Sequence, residues 1–206
     1  MGKSILHIGA GKLDVSIFET SDDYHVYVDT MYRSGFSMAE LEERHNLWNR
    51  NNRLYSEGSF SNYDVFNFLD HYALRFDHIV AERIFEHMFY DSGEIGRLLD
   101  ACYQSTNDDG SMEILVPNID ILISEYGKLD ESKNMSEVIL RINTEFHNSR
   151  SDAHGSSWSP KLARYYIESE GTWKIDSIEE RVEHRGRDVY MRVNVSKRRK
   201  DGSDSK

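Results

Sequence analysis

Apolar and polar positions alternate with helical stretches along most of the chain. Ile5-Leu6-His7-Ile8 is a short apolar run that stops at Gly9-Ala10-Gly11, which predicts a buried strand and a tight turn. A second strand is expected at Tyr24-His25-Val26-Tyr27-Val28, ending at Asp29. Ser37 and Glu40 fit a capping box, in which each side chain satisfies a free amide, and open a helix through Met38, Leu41, Leu47 and Trp48. A short strand at Arg53-Leu54-Tyr55 precedes a helix starting near Asp64, with Phe66, Leu69 and Tyr72 as its apolar face.

Phe76 to Ala81 reads as a further strand. Ile95, Leu98, Leu99 and Cys102 recur every three or four residues, the spacing of a one-sided helix. Met112 to Val116 gives the next strand, closed by Pro117-Asn118. Past residue 119 the pattern carries no clear element until a helix from Ser159 to Glu170, stopped by Gly171. Two consecutive strands, Trp173–Ile178 and Asp188–Val195, suit an antiparallel pair at a sheet edge. The pattern predicts an α/β fold: a Rossmann-like, mostly parallel central sheet with an antiparallel C-terminal edge and helices on both faces. One domain is expected over residues 1–196, followed by a mobile polar tail, 197–206, carrying a Lys-Arg-Arg-Lys run.

Composition narrows the function classes. Twelve Tyr, 9 Phe and 3 Trp supply bulky core material to a chain of 206 residues, unlike a disordered one. A formal charge of −11 repels phosphate, which argues against duplex nucleic acid as a partner. The single cysteine, Cys102, excludes an internal disulfide and any multi-cysteine zinc site, and its apolar helical setting predicts an inert buried thiol. The N-terminal segment turns polar too soon for a signal peptide, and no apolar run approaches the roughly 20 residues that span a bilayer. A cytoplasmic protein is expected. His147, Asp152 and His154 match no strong metal-binding spacing, so no metal is expected.

Candidate chemistry gathers at the strand ends. Gly9 and Gly11 follow the first strand, where an α/β sheet brings its backbone against a ligand and a Cβ would block the approach. Asp29 ends the second strand, where a carboxylate can accept both hydroxyls of a ribose or stand as a plain solvated acid. A dinucleotide site wants a third glycine where Asp14 stands, and that negative charge would face a pyrophosphate. S-adenosylmethionine, with no phosphate and a positive sulfonium, suits the loop better.

Several blocks then occur in a telling order: Leu6-His7-Ile8-Gly9-Ala10-Gly11, Val28-Asp29, Phe76 to His87, Gly110 to Asn118, and His154 to Leu162. In that order they resemble the class I S-adenosylmethionine-dependent methyltransferases, and more narrowly a small, often phage-encoded branch of predicted methyltransferases. The resemblance implies S-adenosylmethionine as cofactor, with Gly9, Ala10 and Gly11 along its methionine part. It further implies Asp29 on the ribose, Asp64 at the adenine amino group, and Glu82 where cofactor and acceptor meet. His7 stands where the family usually carries an acid.

Two residues are candidates for acid–base work on the acceptor. Glu86 either plays that role or, with His87, starts or caps a helix, Glu86 facing amides and His87 against the sheet; His154 either acts as a general base or serves a cap or surface. Glu82 could alternatively pair with Arg83. The expected acceptor is a small molecule or nucleotide, in a pocket built from residues 82–90, 117–126 and 146–161. Its aromatic residues would either stack on a flat acceptor or belong to the core. The competing reading is a non-catalytic binding protein that keeps the methyltransferase fold. The sequence carries no signal for oligomeric state.

Overall fold

A computed structural model describes residues 2–9, 23–28, 65–71, 74–129, 155–184 and 187–198. Within them, β1 (Ser4–Ile8), β2 (Tyr24–Val28), α1 (Val65–His71), β3 (Phe76–Glu82), α2 (Glu94–Gln104) and β4 (Thr106–Pro117) follow in order. They are succeeded by α3 (Ile119–Leu129), α4 (Pro160–Glu170), β5 (Trp173–His184) and β6 (Arg187–Lys197). The expected helix from Ser37 and strand at Arg53–Tyr55 lie outside the described residues.

The six strands form one sheet in the order β2-β1-β3-β4-β6-β5. β1 pairs in parallel with β2 and β3, and β3 with β4, while β6 runs antiparallel to both β4 and β5. The sheet therefore has the expected mixed form. From β1 the chain goes to one side to make β2 and to the other to make β3. Such a switch point opens a crevice at the carboxyl ends of β1 and β3, because the connections leave on opposite faces.

Alternation along the strands decides what each face covers. Leu6, Ile8, Ile79, Ala81, Met112, Ile114 and Val116 join the main core, with Leu98, Leu99 and Cys102 of α2 and Ala163 and Ile167 of α4. Leu115 points the other way and packs with Val182 and Tyr190. Leu122 of α3 meets Val189 on that same side, so helices cover both faces. The inward side of α1 is Val65, Phe68 and Leu69, with Phe66 only partly buried beneath the Arg97 guanidinium, so the expected face is rotated. Tyr72 lies outside the described residues.

Local signals explain the best-anticipated elements. Ser159 caps α4 by accepting from the Leu162 amide, Pro160 starts it, and Gly171 ends it at φ 70°. The strand and helix boundaries depart from expectation in four places. β4 begins at Thr106, because residues 107–110 bulge opposite Asp77 and only then resume the ladder at Ser111. α3 occupies a stretch without a clear pattern and follows directly on Asn118, whose side-chain oxygen accepts from the Asp120 amide. β5 continues through polar residues to His184, held by pairing with β6. β6 reaches Lys197, which pairs with Trp173 and lies over the Tyr103 ring, so ordered structure extends into the stretch expected as tail.

Candidate active site at the carboxyl edge of the sheet

Gly9 leaves β1 with φ 75° and donates its amide to Val28 at 3.0 Å, tying the ends of β1 and β2 together. A Cβ here would collide with the Glu82 carbonyl of β3 and crowd Ile84, so the close approach of β1 to β3 requires glycine. The sequence reading placed both Gly9 and Glu82 at this edge, and the fold brings them into contact. Ala10, Gly11, Asp29, Asp64 and His154 lie outside the described residues.

Glu82 ends β3 with its side chain mostly buried, and Oε1 lies 3.2 Å from His184 Nδ1. An imidazole from the far end of β5 thus lies against the Glu82 carboxyl. The β5–β6 hairpin reaches this edge because Asn118, buried after β4, donates from its side chain to Glu180 and from its amide to Val189. His184 packs edge-on against Tyr190, with ring centroids 5.2 Å apart. No sequence signal marked His184, because its position depends on the reach of that hairpin.

The chain then turns sharply. Arg83 adopts φ 55°, a left-handed conformation that side chains other than glycine rarely take, and donates its amide to Leu115 at 2.9 Å. Its Nε is buried without a hydrogen-bond partner. A single 3-10 turn, Phe85–His87, follows. Phe85 is fully buried and Glu86 is 2% exposed. Neither carboxyl oxygen of Glu86 has a hydrogen-bond partner. Burial pushes this carboxyl up to about 8, against the pull of its own backbone amide and of Arg83 toward the charged form.

Glu86 thus sits in the first turn of a 3-10 helix, as one of the two sequence readings had it, but its side chain caps no amide. Its main chain does that service for another segment: the Glu86 carbonyl accepts from the amides of Gly155 and Ser156 at 2.8 and 3.1 Å. Ser156 Oγ donates to the Phe85 carbonyl, and Trp158 Nε1 donates to Ser156 Oγ. Trp158 is buried between Phe85 and Tyr166, at ring distances of 5.6 and 4.9 Å. The fold thus joins the expected acceptor-pocket segment 82–90 to residues 155–158, within the described part of the expected segment 146–161. Trp158 and Phe85 belong to the core, while Phe89 and Tyr90 are exposed.

Cys102 is buried, and burial pushes its thiol up to about 12, as an inert core residue requires. Among the described residues no group of three or more His, Cys, Asp or Glu side chains could hold a metal, and no helix is long and apolar enough to cross a membrane.

Known structures share this architecture. A mitomycin 7-O-methyltransferase superimposes with a TM-score of 0.58 at 11% identity, covering 96% of this chain and 49% of that one. The 1,6-didemethyltoxoflavin-N1-methyltransferase of Burkholderia thailandensis, bound to 1,6-didemethyltoxoflavin and S-adenosylhomocysteine, gives 0.59 at 14% identity, over 96% and 72% of the two chains. An S-adenosylmethionine-dependent methyltransferase of Methanosarcina mazei gives 0.56 at 11% identity, over 95% and 92%. The chain has the Rossmann-like methyltransferase fold. It spans about half the length of the mitomycin enzyme, whose identity to it is low enough that the likeness concerns fold alone. No family model and no curated protein matches the sequence.

Proposed function

We propose that the chain is an S-adenosylmethionine-dependent methyltransferase that acts in the cytoplasm on a small-molecule or nucleotide acceptor. The observation that carries this reading is Gly9, held at positive φ against the Glu82 carbonyl at the switch point of a methyltransferase fold. A cradle that a Cβ would fill suits a ligand that lies directly on the backbone. Solved neighbours with S-adenosylhomocysteine bound support the choice of cofactor. The phage-encoded branch suggested by the order of sequence blocks is part of the same proposal.

In this reading Gly9, Ala10 and Gly11 line the methionine part, Asp29 holds the ribose and Asp64 the adenine. Glu82, fixed by His184, forms the border between cofactor and acceptor. Glu86 and His154 face the acceptor. The cofactor supplies an already activated methyl group, so the protein's work is alignment and exclusion of water. Alignment can contribute roughly 7–11 kcal/mol to such a displacement, and a general base about a hundred- to ten-thousandfold where the acceptor loses a proton.

Isothermal titration of S-adenosylmethionine and S-adenosylhomocysteine into the native protein and Asp29→Ala tests the reading. Binding by the native chain that weakens at least about tenfold in the variant is the expected result. A folded native protein that takes up neither ligand would remove the enzyme reading.

A further inference from the structure

The corner beyond β3 holds groups that the fold itself does not satisfy. Several buried polar side chains elsewhere are served, although Thr172 Oγ1 is not: Thr106 donates to Cys102, Ser159 accepts from Leu162, and Asn118 bonds on both sides of its amide. Glu86 is nine-tenths buried and more, yet both its oxygens lack partners, and among the described residues no other carboxyl oxygen is left so. The neighbouring Arg83 Nε is also buried without a partner, on a residue held in the left-handed region. Strain and unmet hydrogen-bonding capacity in one turn are the marks of a position kept for a ligand. The turn lies directly after Glu82, against which Gly9 packs.

The chemistry of the carboxyl narrows that ligand. Below a pH of about 8 burial keeps Glu86 neutral. Its own backbone amide and then Arg83 favour the charged form, and Glu82 opposes it. From β5 comes His184, already paired with Glu82; His87 shares the turn. The Gly155–Ser159 segment brings only backbone, hydroxyls and the Trp158 ring, with the Tyr166 phenol of α4 behind it. A neutral carboxylic acid offers one O–H donor beside one carbonyl acceptor. Its complement is a planar edge with an N–H next to an acceptor.

Resting on the methyltransferase reading, we propose that the carboxyl of Glu86 orients the acceptor by pairing with a lactam or amidine edge, so that the acceptor is a nitrogen heterocycle. The oxygens are covered in this structure, so the acceptor reaches them through local opening of the corner. The strap across it, bonded to the turn at Phe85 and Glu86, limits that opening and helps exclude water.

The smallest probe of the edge is 2-pyridone, with N-methyl-2-pyridone as the control that lacks the N–H. Both are titrated, followed by NMR, into native protein, Glu86→Gln and Glu86→Leu, each saturated with S-adenosylhomocysteine. The native protein should bind 2-pyridone at about pH 6.5 and lose about tenfold in affinity by about pH 9.5, as the carboxyl ionises. Glu86→Gln keeps a donor beside an acceptor, so it should retain binding without that pH dependence. Glu86→Leu and the N-methyl probe should show no binding.

Equal binding by Glu86→Leu, or no binding of 2-pyridone by the native protein, would overturn the proposal. So would loss in Glu86→Gln together with native binding of butylamine, which would make Glu86 a counter-ion for an ammonium. Should S-adenosylhomocysteine itself not bind, the methyltransferase reading falls, and the 2-pyridone series in cofactor-free protein still decides the role of Glu86.

Discussion

Two carboxyl groups stand at opposite ends of β3. At the amino end, Asp77 accepts from the Ser4 amide at 2.8 Å, the Ser4 hydroxyl at 3.0 Å and the Asn107 side chain at 2.7 Å. The hydrogen bonds from Ser4 and Asn107 hold it below the usual carboxylate range. Beyond the carboxyl end, the carboxyl oxygens of Glu86 have no hydrogen-bond partner, and burial pushes the group up to about 8. One strand thus carries a carboxylate stabilised by the fold at one end and precedes a carboxyl that destabilises the fold at the other. The amino edge joins β1, β3 and the bulge of β4, and its polar groups are spent on that joint. At the carboxyl edge Glu82 meets His184 and Asn118 is bonded within the fold, while the Glu86 carboxyl and Arg83 Nε stay without partners.

Breaking the corner should have the largest effect. Trp158→Ala removes the ring wedged between Phe85 and Tyr166 and should cost about 3–5 kcal/mol in denaturant unfolding. A loss below about 1 kcal/mol would mean that the strap is not anchored there. Glu86→Leu sharpens the contrast in the other direction. Replacing an unbonded buried carboxyl by an apolar side chain of similar size should raise stability by about 1–3 kcal/mol near neutral pH. At the opposite edge, Asp77→Ala should lower stability by about 1–2 kcal/mol, because three donors lose a charged acceptor. Opposite signs for the two carboxyl variants are the signature of the two edges.

The pH dependence follows with opposite signs as well. Asp77 is more acidic folded than unfolded, so its contribution is present above the ordinary value of 3.8 and fades as pH falls through the lowered one. Glu86 binds its proton more tightly in the folded state. Its contribution is complete below the ordinary 4.5 and is lost as pH rises toward about 8. Across that window the native protein should lose up to about 1.4 kcal/mol per pH unit relative to Glu86→Gln, by urea titration at a series of pH values. Parallel curves for the two proteins would show that Glu86 is ionised in the folded state.

The same contrast separates what the sequence made legible from what it did not. β1, β3, α2 and α4 were marked by dense apolar runs, one-sided spacing, or caps such as Ser159 and Gly171, all local signals. The first half of β4 reads Thr106-Asn107-Asp108-Asp109-Gly110, a loop by composition, and becomes strand through its partner β3 and its bulge. The second half of β5 is polar because much of it faces solvent, and only pairing with β6 keeps it extended. Gly9 and Glu82 could be placed at the ends of their strands, and Glu86 just beyond, because a strand end is a position that sequence can mark. The contact of His184 with Glu82, and the unmet state of Glu86, are products of long-range packing. Neither has a local signature.

Hydrogen exchange of the native protein, with and without saturating S-adenosylhomocysteine, tests the assignment of the two edges most directly. Ligand in the crevice between β1 and β3 should slow exchange at Gly9, across Arg83–Met88 and along Gly155–Trp158, while Ser4, Asp77 and Asn107 exchange as before. Unchanged exchange at the carboxyl edge, or protection confined to the amino edge, would contradict the site proposed for this fold.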